Sequence, residues 1–176
     1  MKNAFKWALY ITAVNIIVAL GMYVAGISLD PDLAWIRWIG SIASLVLIFL
    51  GVREKKMEDP SSFTFGKGWV ATVLICSISA VLGSVWVFIY ASAVEPEWIE
   101  VTRNAQKLAM MKSANGMTQE QMDQAMKWSS FMISPTGFAI FTLISYVFIG
   151  MILGLIISGI VKSTGNDNLP SPEPMA

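Results

Sequence analysis

The apolar positions of this chain gather into long uncharged stretches, separated by short charged ones. A helix needs ~20 mostly apolar residues to cross the hydrocarbon core of a bilayer. Four stretches lack Asp, Glu, Lys and Arg: residues 7–29 (23 residues), 38–52 (15), 68–94 (27) and 128–161 (34). The second is short, because 15 residues rise only roughly 22 Å. Adding residues 34–37 brings it to 19 residues. Arg37 then lies one turn inside, with a stem long enough to snorkel to the surface. Trp35 and Trp38 flank it, as expected of an interfacial aromatic belt. In the fourth stretch Pro135 marks the expected start, since proline is tolerated in a first helical turn.

The pattern predicts an all-α integral membrane four-helix bundle, one domain over residues 1–162, with helices at about 5–28, 34–52, 67–94 and 135–162. Two competing readings of these stretches exist. The stretch 38–52 could be a buried helix of a soluble protein, but its three longer apolar neighbours argue against that. Residues 1–29, with Lys2 and Lys6 ahead of an apolar run, have the outline of a secretory signal. The run exceeds the ~7–15 residues of a signal core and no clear A-x-A site follows, so it reads as a retained helix.

The connection 95–134 is the sizeable extramembrane piece. Pro96 suits a first helical turn, and residues 98–113 lack Gly and Pro. Asn115-Gly116 signals a turn, and Thr118 with Gln121 resembles a capping box. Met122, Ala125, Met126 and Ser129 then share one helical face. The expectation is a helical hairpin over about 96–133. Its methionines (Met110, Met111, Met117, Met122, Met126) fit packing within the hairpin and on the membrane surface; an adaptable partner surface and a soft-metal site are the alternatives. The 53–67 connection ends in Phe63, Phe65 and Lys67, an interfacial lead into the third helix. Residues 163–176 hold three Pro, a Gly and few apolar residues, which predicts a disordered cytoplasmic tail.

Orientation follows from Lys and Arg near helix ends. With the N-terminus inside, the inner side carries Lys2, Lys6, Arg53, Lys55, Lys56, Lys67 and Lys162; the outer side carries Arg37, Arg103, Lys107, Lys112 and Lys127, mostly deep in a long loop. Both termini therefore read as cytoplasmic, which makes the hairpin extracytoplasmic.

Composition sharpens the picture by exclusion. Hydrophobic residues are 55% of the chain and charged ones 14%, against about 25% charged in soluble domains. Net charge is zero, which gives no footprint for nucleic acid. There is no His, so the commonest general base and metal ligand are missing. The single Cys76 allows no internal disulfide and no thiolate metal site. No phosphate-binding loop, nucleophile elbow or zinc-protease motif occurs. Glu95 and Glu97 flank Pro96, but without a neighbouring nucleophile they read as a solvated loop start. Cofactors, metals and catalytic residues are therefore expected to be absent.

Within the apolar stretches no charge lies near a midplane. Asn15 is the costliest polar residue to expose to lipid, and a hydrogen bond to a neighbouring helix is its expected fate. Small residues four apart let helices approach closely. Gly150, Gly154 and Ser158 form a run of three; Gly40 with Ser44, Gly21 with Ala25, and Ala80 with Ser84 are shorter instances. The run of three suits packing within the bundle, and a dimer contact is the alternative.

Several short motifs coincide with this topology: Phe63-Thr64-Phe65-Gly66-Lys67-Gly68, Val87-Phe88-Ile89-Tyr90, Val94-Glu95-Pro96-Glu97-Trp98-Ile99, Met117-Thr118-Gln119-Glu120-Gln121, and Ile149-Gly150-Met151-Ile152-Leu153-Gly154-Leu155-Ile156-Ile157-Ser158 before Lys162. In topology and motifs the chain resembles domain-of-unknown-function family 4199, small membrane proteins typical of Bacteroidota, over roughly residues 2–162. Relatives often have Asp before the Pro where this chain has Glu95. The resemblance implies a bacterial inner membrane and supplies no activity. The leading expectation is a non-enzymatic scaffold or partner-binding subunit, in contact with the bilayer and with a protein partner or a second copy. A transporter or channel subunit acting as an oligomer is the alternative, and a lipid-modifying enzyme ranks last.

Overall fold

The computed structural model describes residues 2–113 and 119–163, and every element among them is helical. Helix α1 (Lys2–Val24) ends where Gly26 takes φ 69°, a left-handed conformation that favours glycine. Ile27 N–H donates to Met22 O and Gly26 N–H to Tyr23 O, both at 3.0 Å, which closes the helix as a Schellman motif. The apolar run alone predicts a helix to residue 28; the glycine stops it at Val24.

A 3-10 turn (Pro31–Ile36) leads into α2 (Arg37–Glu58). Asp30 opens the turn by accepting from Asp32 N–H at 2.9 Å. α2 continues past the expected residue 52 through six further charged or polar-flanked positions to Glu58, because residues 53–58 contain no Gly or Pro. Lys55 and Glu58 pair within it at 2.5 Å. The joined segment Pro31–Glu58 spans 28 residues, so the shortfall of the uncharged stretch disappears.

Helix α3 (Phe65–Ile89) is capped by Thr64, whose hydroxyl accepts from Lys67 N–H at 3.3 Å. It closes in a π turn, Tyr90–Val94. α4 (Glu97–Ser113) and α5 (Gln119–Met132) follow, then α6 (Pro135–Ser163). Ser134 caps α6 by accepting from Gly137 N–H at 3.0 Å. Gly137 is required there, since a Cβ would lie 2.2 Å from Phe131 O. The expected Asn115-Gly116 turn, the Thr118 cap, Met117 and the tail from residue 164 onward lie outside the described residues.

Four helical segments are long and apolar enough to cross a membrane: Lys2–Val24, Pro31–Glu58, Phe65–Val94 and Pro135–Lys162. Their outward positions are apolar as well; Ile144 and Phe148 are 61% and 63% exposed. A soluble monomer does not carry that much contiguous apolar surface, whereas acyl chains cover it at no cost.

α3 is the central helix. It packs most extensively on α6 and also contacts α1 and α2, while α1 packs on α2. We call the end where α1 begins and α6 stops proximal, and the end bearing the α1–α2 turn, α4 and α5 distal. The main core is proximal: Ala4, Ile11, Ile48, Val52, Ile75, Cys76, Ile157 and Val161 cluster there. A smaller distal cluster joins Ala91, Ile99 and Ile133, with Trp98 and Phe138 stacked at 4.7 Å.

Candidate functional site: the distal cleft and the Glu95 cluster

The α3–α6 seam determines where the bundle is solid. A Cβ on Gly150 would meet Cys76 Cβ at 2.5 Å, one on Gly154 would meet Trp69 Cδ1 at 2.8 Å, and one on Gly68 would meet Ser158 Oγ at 2.9 Å. Trp69 Nε1 also donates to Met151 O at 3.1 Å. Small residues therefore alternate across the seam, every fourth position on each antiparallel helix. Gly150, Gly154 and Ser158 sit in it, and their counterparts Gly68, Thr72 and Cys76 come from α3. Gly68, Thr72 and Cys76 carry the same four-residue spacing, so a cue to these partners is present in the sequence beside Ala80 with Ser84.

The α1–α2 contact is tied differently. Asn15 Nδ2 donates to Ser44 Oγ and to Ile11 O, each at 2.8 Å, and Ser44 Oγ donates to Gly40 O at 2.7 Å. A Cβ on Gly40 would lie 2.9 Å from Asn15 Oδ1. So Asn15, Gly40 and Ser44 form one polar contact. Gly21 takes no part in a close approach, since nothing lies within 4 Å of a Cβ there; its spacing to Ala25 is chance. At the proximal end Lys6 Nζ and Trp7 Nε1 both donate to Glu54 at 2.5 Å. Lys56 Nζ donates to Val161 O at 2.5 Å, a cation on the C-terminal carbonyls of α6. Lys67 Nζ donates to Ser62 Oγ at 2.6 Å, Phe63 packs against the proximal core, and Phe65 is exposed. Asp59 accepts from Ser62 and, more weakly, from Ser61, which holds its carboxyl below the usual range.

Glu95 overturns its reading as a solvated loop residue. It is 6% exposed. Tyr90 OH donates to Oε2 at 2.5 Å, and the Ser28 hydroxyl donates to Oε1. The π turn makes this geometry: Glu95 N–H reaches back five residues to Tyr90 O at 2.9 Å, which brings the carboxylate to the Tyr90 hydroxyl. A buried carboxylate is tolerated only when its lone pairs are satisfied; here two hydroxyls do that. Arg37 Nη2 donates to Ser28 O at 2.6 Å, so the head of α2, the α1–α2 turn and the α3–α4 junction meet at one cluster. Glu97, by contrast, is exposed. Trp35 and Trp38 are also exposed, on the flank of the same end.

Beside this cluster lies a cavity of about 200 Å³ lined by Ser28, Arg37, Tyr90 and Trp98. A second, of about 240 Å³, runs deeper between α1, α3 and α6, past Thr12, Ser79, Gly83, Thr142 and Tyr146. Asn15, Ala19, Trp86 and Val87 line both. Beside the cleft the seam is looser: beyond Cys76 and Gly150 the facing pair is Gly83 and Thr142, and a Cβ on Gly83 would meet only Thr142 Cγ2, at an ordinary contact distance of 3.9 Å. Ser79 Oγ, on the cleft wall, is buried without a hydrogen-bond partner. A third depression, on the distal side, lies between α4, α5 and α6 and is lined by Thr102, Gln106, Met110, Trp128, Met132 and Phe141 among others. Among the described residues no group of three or more His, Cys, Asp or Glu is placed to hold a metal ion.

One comparison with known proteins places this chain in a family, and none says what it does. No curated protein and no solved structure matches it. A family profile matches residues 6–163, from the start of α1 to the end of α6 and so across the whole bundle just described. The chain belongs to the family described as protein of unknown function DUF4199.

Proposed function

We propose that the chain is a non-enzymatic membrane subunit that holds α4 and α5 in a fixed pose for a protein partner. The observation that carries this reading is the Glu95 cluster. It fastens the α3–α4 junction to the α1–α2 turn through Ser28 and Tyr90, directly before Ile99 packs on Ala91 and Ile133. A tether would need no such anchor. Arg103 Nη2 also donates to Ile133 O at 3.3 Å, joining α4 to the base of α6. The depression between α4, α5 and α6 then offers an apolar surface with Met and aromatic walls, the composition of an adaptable protein contact.

The excess of Lys and Arg on the proximal side supports a bacterial inner-membrane protein with both termini in the cytoplasm and α4 and α5 outside. A channel subunit has less support, because Ile11, Ile48, Val52, Ile75 and Ile157 fill the proximal half of the bundle.

The test is site-specific photocross-linking in native membranes from position 128, whose Trp is 71% exposed, and from the lipid-facing position 17. The expected result is a discrete heterologous adduct from position 128 only, lost in Glu95→Ala while helix content is unchanged. The same adducts from both positions, or an adduct indifferent to Glu95→Ala, would overturn the reading.

A further inference from the structure

The distal cleft has the form of a site for an amphipath. Its mouth holds Arg37, whose guanidinium makes one hydrogen bond among the described residues, to Ser28 O, and is in no ion pair there. A guanidinium carries five donors in a fork that matches phosphate. The nearest carboxylate of the cluster, Glu95, already accepts from Ser28 and Tyr90, so Arg37 keeps donors for a ligand. Trp86 and Trp98 line the same cavity, and indole rings are side chains that favour the boundary between headgroups and acyl chains.

Below the mouth the lining surface stays mainly apolar, with the polar groups of Thr12, Asn15, Ser79, Thr142 and Tyr146 set into it, and the two cavities share four wall residues. Ala19, Trp86 and Val87 pass from the head cavity into the deeper cleft, which reaches Gly83 and Ser79. From Tyr90 to Ser79 along α3 is about 16 Å at 1.5 Å per residue, the reach of much of an acyl chain. The cleft opens sideways, because α1 and α6 each pack on α3 and make no extensive contact with each other. A helix from a second copy, ~10 Å across, does not fit a space of about 240 Å³. A small water-soluble anion would leave the membrane-embedded part empty.

We propose that this cleft binds one membrane phospholipid, with its phosphate on Arg37 and one acyl chain laid between α1 and α6 across Gly83. This goes beyond the partner-binding reading and does not depend on it.

The experiment is native mass spectrometry of the full chain, delipidated in maltoside micelles and titrated separately with phosphatidylglycerol, diacylglycerol of the same chains, and inorganic phosphate. Expected is one phosphatidylglycerol per chain, with retention weakened ~10-fold or more in Arg37→Gln and partly restored in Arg37→Lys. Diacylglycerol binds more weakly and is indifferent to Arg37→Gln. Gly83→Leu, whose Cβ would make ordinary contact with Thr142 Cγ2 and whose longer side chain would enter the cleft, reduces retention of both lipids, with helix content and thermal midpoint recorded to show that it folds. Phosphate alone does not compete. Equal retention of the two lipids, displacement by inorganic phosphate, or phosphatidylglycerol binding unchanged in both Arg37→Gln and a folded Gly83→Leu would each overturn the proposal.

Discussion

The proximal and distal halves of the bundle use the same pair of helices in opposite ways. Proximally, α3 and α6 touch through Gly68, Gly150 and Gly154, where even a methyl group would collide with Ser158, Cys76 or Trp69. Distally, the same two helices meet at Gly83 and Thr142 only at ordinary contact distance, where a methyl group would fit, and a cleft lies beside them. Helix–helix association in lipid lacks a hydrophobic drive and rests on close packing and interhelical hydrogen bonds. The half with the small-residue seam is thus the stable one. The distal half is held by polar clamps, Asn15 to Ser44 and Glu95 to Ser28 and Tyr90, together with the small apolar cluster around Ile99, and it can keep an opening.

The strongest way to break this contrast is Gly150→Leu together with Gly154→Leu. Overpacking costs about 1–3 kcal/mol per site, so unfolding in detergent should show a loss of about 3 kcal/mol or more; unchanged stability would mean that the seam is not the main contact. Next is Glu95→Ala, which leaves the Ser28 and Tyr90 hydroxyls without their acceptor and should cost about 1–3 kcal/mol. Hydrogen exchange should rise in α4 and stay unchanged at Gly150, and a uniform rise would erase the distinction between the halves. Asn15→Ala removes one interhelical hydrogen bond and should cost about 0.6–1.7 kcal/mol, read in the same unfolding assay. The smallest effect is expected of Gly21→Leu. It adds a side chain where nothing lies within 4 Å, and stability should stay within about 0.5 kcal/mol. A loss comparable to that at Gly150 would show a contact on α1 that the bundle itself does not account for.

Which of these positions were visible in the sequence follows from how local their cause is. The membrane helices are legible because each is a continuous apolar run, a property of a few adjacent turns. Asn15 stood out because a carboxamide is costly in hydrocarbon whatever surrounds it. Glu95 did not stand out as buried. Its neighbours Pro96 and Glu97 suggest solvent, and its partners lie five residues back on a π turn and 67 residues back at Ser28. A cue was present in Tyr90, which a π turn brings onto Glu95, but nothing in periodicity announces that turn. Gly21 with Ala25 shows the converse error: the spacing fits and the partner helix is missing.

The sequence by itself determined the number of membrane helices, their approximate bounds, and the presence of small residues that allow close approach. Those follow from transfer of side chains between water and hydrocarbon, which is fixed residue by residue. The tertiary structure decided which small residues meet a neighbour, that Glu95 is buried and clamped, and that α1 and α6 stand apart over Gly83. Those depend on which helix faces which and in what register. In lipid every helix is apolar on most sides, so the pattern of hydrophobicity that orients a soluble helix carries little of that information.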